Sequence, residues 1–324
     1  MPRIIPATFV AALALTAALV SPAFAEEEPA ERTERVYFIG NSLTDNVDYD
    51  GLEALAAARG IEQVWGRHMI PGAPLSFLWD AAKTDRGGFT EKPFGDIDHA
   101  LANYAWDHVT LQPFDRQLDK GGDQADPVAI GRILAAAQPK NADAQFYIYA
   151  HWPRMRKGGE ALSYDPDAYD TQAPREVIDL ATIDPYTEVW RQDYTGGWDG
   201  TNETADYYDK LAARVNEANP ELAHPVRIIP VGHVMDELDK KMKAGEVPGF
   251  SNIYEVYRDT IHLGPYGSYI AGVTFFATLY GEDPTGLPTE PYGELDPEVA
   301  RIIQQTAWDV VRATPGTGIG KDES

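Results

Sequence analysis

A serine in the run Gly40-Asn41-Ser42-Leu43-Thr44, and a segment Asp259-Thr260-Ile261-His262 about two hundred residues later, supply a hydroxyl, a carboxylate and an imidazole. Serine-based acyl transfer needs those three groups. A hydroxyl is a weak nucleophile at neutral pH, so an imidazole must take its proton, and a carboxylate fixes the tautomer of that imidazole. Each half is weak evidence by itself: a serine after a strand more often caps a helix, and D-x-x-H is a common surface pattern. Two features strengthen the pair. An Asp and a His three positions apart on one turn can aim both side chains at one point. This segment also runs into Leu263-Gly264-Pro265, a helix start followed by an apolar stretch from Tyr269 to Leu279.

The elements around these residues place them at a common edge. Arg35-Val36-Tyr37-Phe38-Ile39 is a short apolar run with β-forming residues that stops at Gly40-Asn41, as a buried strand does. Ser42 then falls on the strand-to-helix turn, at the carboxyl edge of a parallel sheet, where open α/β folds bind their ligands. Strands are expected at Arg35 to Ile39, Gln63 to Met69, His108 to Gln112, Gln145 to Ala150 and Val226 to Val231. Helices are expected at Gly51 to Arg59, Pro127 to Ala137, Thr204 to Asn219, Val234 to Ala244, Gly267 to Tyr280 and Pro297 to Ala313. This alternation predicts a parallel sheet with helices on both faces. It is interrupted at 152–203 by an insertion of about fifty residues rich in Pro, Asp, Gly and aromatics. Loops of that length are usually functional or disordered. Tyr164, Tyr169, Tyr186, Trp190, Tyr194 and Trp198 argue for order, either as a wall over the site or as an extra packing layer.

The chain resembles the SGNH (GDSL-type) hydrolases. In that family a G-D/N-S-L-[ST] block after the first strand carries the nucleophile and a D-x-x-H block before the last helix carries acid and base. The resemblance implies an α/β, three-layer α/β/α flavodoxin-like sandwich with a five-stranded parallel sheet. It assigns Ser42 as nucleophile, His262 as general base and then acid, and Asp259 as the orienting carboxylate. The oxyanion hole would be formed by the Ser42 and Gly72 backbone N–H groups, Gly72 lying in Pro71-Gly72-Ala73-Pro74 after the second strand. The family's third block, G-x-N-D, is missing. The third strand runs into Gln112-Pro113-Phe114-Asp115-Arg116-Gln117, which contains no asparagine, and Gln112 is the side-chain amide available in its place. After the fourth strand, His151 and Trp152 are expected near the pocket, His151 as a hydrogen-bonding group and Trp152 as an apolar or sugar-stacking face. Arg116 and Arg154 read either as clamps for an anionic substrate or as salt-bridge partners.

Met1-Pro2-Arg3, an apolar stretch from Ile4 to Val20 and Ala23-Phe24-Ala25 form the pattern of a cleaved secretory signal peptide, 1–25. The mature chain, 26–324, is then one hydrolase domain, secreted or periplasmic, without stable membrane insertion. The formal net charge is −24, and removing Arg3 leaves 26 basic against 51 acidic residues. So acidic a surface disfavours nucleic acid and anionic membranes as partners. There is no cysteine, so an exported chain of this size relies on its core. The seven histidines form no H-x-x-x-H or H-E-x-x-H pair, and no phosphate-binding glycine loop is present. Neither metal nor cofactor is expected. The function read from these observations is an esterase acting on short-chain, above all acetyl, esters of a polysaccharide. Alternatives are a lipase, thioesterase or acyltransferase of the same fold, or an inactive glycan-binding relative.

Overall fold

Val36-Tyr37-Phe38-Ile39 has no solvent-exposed surface, because it is the middle of a sheet covered on both faces. The computed structural model describes residues 32–84, 87–114, 118, 122–154, 156–157, 160–161, 186–195 and 203–320. The expected leader, Arg116, Tyr164, Tyr169 and Trp198 lie outside the described residues. In chain order the elements are β1 (Arg32–Gly40), α1 (Ser42–Asp45), α2 (Tyr49–Ala57), β2 (Ile61–Met69), α3 (Leu75–Thr84), β3 (Phe89–Thr90), α4 (Ile97–Asn103) and β4 (His108–Leu111). They continue with α5 (Asp126–Asn141), β5 (Gln145–Tyr149), β6 (Arg156–Lys157), β7 (Glu160–Ala161), α6 (Ala205–Ala218), β8 (Arg227–Ile229), α7 (Val231–Lys243), α8 (Pro265–Tyr280) and α9 (Pro297–Ala313).

The main sheet has the order β3-β2-β1-β4-β5-β8. Five of its strands are parallel, and β3 is a two-residue antiparallel addition on the outer side of β2. Counted alone, the parallel strands run 2-1-3-4-5, the flavodoxin-like order, which puts a topological switch between β1 and β4. The helices divide into two groups that pack among themselves, α2 with α7, α8 and α9 and, separately, α3 with α4, α5 and α6. The α/β sandwich with five parallel strands is therefore present, with β3 as an extra edge strand. Helices α3 and α4 and the single turn α1 were not evident in the sequence.

Helix α8, which follows the Asp259–His262 segment, is apolar around its circumference and buried along nearly all of its length. Its Gly272 and Gly51 of α2 form a notch for the Tyr292 ring. A Cβ on Gly272 would stand 1.9 Å from the Tyr292 hydroxyl oxygen, and one on Gly51 2.7 Å from the ring. The hydroxyl donates to the Val47 carbonyl at 3.2 Å. The described part of the insertion is built inward: Tyr186, Trp190 and Tyr194 are all buried. Trp190 lies over Gly232 at the start of α7, where a Cβ would be 2.2 Å from the indole. Tyr186 Oη lies 3.4 Å from Tyr257 Oη, and the Tyr186 N–H donates to the Tyr254 hydroxyl at 3.2 Å.

Candidate active site

Ser42 is the first residue of α1, and Asn41 rather than Ser42 is the cap. The Asn41 Oδ1 accepts the Leu43 N–H at 3.0 Å, and its Nδ2 donates to the Ala73 carbonyl at 3.3 Å. Gln112, at the end of β4, braces the turn from the neighbouring strand. Its Oε1 accepts the Asn41 N–H at 2.9 Å and the Thr44 hydroxyl at 3.2 Å, while its Nε2 donates to the Pro113 carbonyl at 3.0 Å. A backbone N–H can only donate and a carbonyl can only accept, so these partners fix which way round the amide sits. Its close approach explains Gly40: a Cβ there would fall 2.0 Å from Thr44 Oγ1 and 2.8 Å from Gln112 Cβ and Oε1.

The second half of the site is a tight loop. Tyr257 and Leu263 form an antiparallel bridge at its stem, and the Arg258 N–H donates to the His262 carbonyl at 2.7 Å. Inside it, Asp259 Oδ1 accepts the N–H groups of Ile261 at 2.9 Å and His262 at 2.7 Å. The other oxygen, Oδ2, lies 2.8 Å from His262 Nδ1, and His262 Nε2 lies 2.9 Å from Ser42 Oγ. With the carboxylate beside Nδ1, that nitrogen carries the proton and Nε2 is left to accept from the serine hydroxyl. Partial burial acts to raise the Asp259 pKa, but hydrogen bonds from the His262 ring and from the His262 and Ile261 N–H groups outweigh it and hold the carboxyl below its ordinary value. His262 is buried, whereas Ser42 is partly open to solvent. The halves are also joined through Asn46, whose Oδ1 accepts the Leu263 N–H at 3.3 Å. Asn46 stands four residues after Ser42, one turn along the same face, and that spacing is the signal the sequence carried for it.

No protein-family model matches this chain, and no curated protein matches it. Among solved structures, a DUF4886 family protein from Bacteroides uniformis matches with a TM-score of 0.55 at 19% identity, over 86% of this chain and 95% of that chain. The two share a fold. Lower similarity is found to a phospholipase A1 from Streptomyces albidoflavus, with a TM-score of 0.32 and 11% identity over 72% of this chain and 94% of that one. It is found too to a carbohydrate esterase family 2 enzyme with a carbohydrate binding domain from Corynascus thermopiles (Myceliophthora fergusii), with a TM-score of 0.28 and 10% identity over 60% and 56%.

The other residues singled out in the sequence fall into three groups. Gly72 is exposed on the turn after β2 with φ of 66°, and neither its N–H nor that of Ser42 has an acceptor among the described residues. Gln112 has given one amide hydrogen to Pro113, so a donor role toward substrate rests on the second. Trp152 differs from expectation: both it and His151 are buried, Trp152 completely, so it offers no face for a sugar to stack on. The cause is packing: His151 lies edge-on among the rings of Tyr149, Trp152 and Tyr208, with Nδ1 2.8 Å from the Trp152 carbonyl. The Trp152 indole N–H donates to the Ile261 carbonyl at 2.5 Å. Arg154 pairs with the buried Glu203, Nε to Oε1 at 2.5 Å, and lies over the Phe114 ring.

Beside the far end of α1 is an open cavity of about 420 Å³, bounded by Asp45, Asp48, Asp50, Trp65, Arg67 and Arg258 among others. It touches Asn46 and Leu263, close along the chain to Ser42 and His262. Its wall mixes carboxylate acceptors, guanidinium donors and an aromatic. Among the described residues no three His, Asp or Glu side chains converge to hold a metal ion.

Proposed function

We propose that the protein is an exported serine hydrolase that cleaves short-chain carboxylic esters, with acetyl groups on a polysaccharide as its substrate class. The observation that carries the reading is the unbroken hydrogen-bonded chain from Ser42 Oγ through His262 to Asp259, with separations of 2.9 Å and 2.8 Å. Ser42 Oγ attacks the acyl carbon as its proton passes to His262 Nε2. The tetrahedral oxyanion is received by the N–H groups of Ser42 and Gly72, while Gln112 holds the turn and offers its remaining amide hydrogen. His262 then gives the proton to the departing alcohol, leaving an acyl-serine. Water deprotonated by His262 attacks that ester and releases the acid and the free hydroxyl. The resemblance to SGNH hydrolases supports the residue roles, and residues 1–25 support export.

A fluorophosphonate probe tests the reading. Covalent labelling of the wild-type protein, lost in Ser42→Ala, is expected; a folded wild-type protein that resists labelling would leave the glycan-binding alternative. Chain-length profiling on p-nitrophenyl esters, with acetate release from acetylated xylan, distinguishes the acetylesterase, which favours acetyl, from a lipase, which favours long chains.

A further inference from the structure

We infer that Trp152 is a positioning residue for the imidazole of His262, acting through a single peptide unit. The inference rests on the hydrolase reading for its kinetic consequence, though not for its geometry. The atoms of a peptide group are coplanar, so the carbonyl of one residue and the N–H of the next turn together. In the unit joining Ile261 to His262 both ends are held. The Trp152 indole N–H donates to the Ile261 oxygen at 2.5 Å, and the His262 N–H donates to Asp259 Oδ1 at 2.7 Å. Rotation of that plane would break one bond or the other. It would also swing the His262 Cα, and with it the ring that lies 2.9 Å from Ser42 Oγ.

The indole can serve as a fixed post because it is packed and hydrogen-bonded on several sides. Trp152 is fully buried and packs edge-on against Tyr149 of β5 and His151. The next carbonyl, that of Pro153, accepts the Tyr257 hydroxyl at 2.9 Å, so the exit from β5 is tied to the stem of the loop as well as to its tip. Tyr257 in turn meets Tyr186 of the insertion. The tip and stem of the Asp259–His262 loop are thereby referred to the sheet, on which the Ser42 turn is also mounted. The indole N–H is a donor with no acceptor capacity, and buried in this way it needs an acceptor, which the Ile261 carbonyl supplies. A phenylalanine would fill most of the space and leave the Ile261 oxygen without this donor.

The test replaces Trp152 by phenylalanine and reads three quantities. In a folded W152F protein, kcat for p-nitrophenyl acetate falls about 10- to 100-fold, the scale on which a misplacement of about 1 Å acts, while KM stays within about twofold. The downfield proton resonance of the His262 Nδ1–H, identified by its loss in His262→Gln, shifts or broadens. If W152F does not fold, benzothienylalanine at position 152 removes the N–H while keeping the ring outline, and the same readings apply. An unchanged kcat with an unmoved resonance overturns the inference. So does a raised KM with unchanged kcat, which would mark Trp152 as a substrate contact. A wild-type protein inert to both ester and fluorophosphonate would defeat the hydrolase reading instead, and the resonance would still decide whether the indole positions the ring.

Discussion

Asp259 binds three donors, which divide between two jobs. Its Oδ1 shapes the loop by taking two N–H groups, and its Oδ2 selects the His262 tautomer. Asp259→Asn keeps the size of the side chain but can present an N–H to Nδ1, which inverts the tautomer. By analogy with serine hydrolases generally, kcat should drop by about 10⁴-fold, measured against p-nitrophenyl acetate. Because the folded-state pKa of Asp259 is depressed, its contribution to stability is complete above the unfolded carboxyl value of about 3.9. That contribution is lost as pH falls through the lower folded value. Acid unfolding followed by circular dichroism should therefore begin at higher pH in the Asn variant than in the wild type. If the two curves coincide, the carboxylate is not held as described. Ser42, Asp259 and His262 were legible in the sequence because a local motif sets each half. The role of Trp152 was not, since residue type says nothing about which carbonyl an indole finds across a hundred positions of chain.

At the scale of elements, the turn between β1 and α1 is a tight joint. Gly40→Ala would push a methyl group into Thr44 and Gln112, and overpacking of this kind costs about 1–3 kcal/mol. The melting temperature should fall, and kcat should fall with it, because the atoms displaced are those holding Asn41 and Ser42. A melting temperature equal to wild type would show that the crowding is relieved elsewhere. Gln112→Ala, which removes the brace without the clash, should lower kcat by about 10- to 1,000-fold. If turnover is intact, neither bracing nor donation by Gln112 matters. The β and α alternation was readable because buried parallel strands are continuous apolar runs. Helices α3 and α4 were not, since each follows a Pro- or Gly-bearing turn that masks its start, and α4 spans just seven residues. The insertion's aromatics were correctly read as ordered at Tyr186, Trp190 and Tyr194, which pack into the core.

For the whole molecule, a net charge of −24 means that the folded surface repels itself. Added salt screens that repulsion, so the melting temperature should rise by a few degrees between low salt and about 0.5 M NaCl. A flat response would show that local ion pairs already balance the charge. Histidine adds a pH term. His233 has its Nδ1 sealed beside Trp190 with no hydrogen-bond partner among the described residues, and burial pushes its pKa down to about 4 although part of the residue reaches solvent. An unfolded histidine titrates near 6.5. Stability from the neutral ring is thus fully present above that value and drains away as pH falls toward 4. His233→Phe should flatten the melting temperature across this window. No helix among the described residues is long and apolar enough to cross a membrane.

The Tyr292 ring, seated between Gly51 and Gly272, couples this architecture to heat inactivation. Helices α2 and α8 follow the Ser42 turn and the Asp259–His262 loop, and neither can drift from the other without stripping cover from a large aromatic. Warming should leave no stage at which the scaffold survives and Ser42 and His262 have already parted: residual turnover and ellipticity would decline along one shared curve.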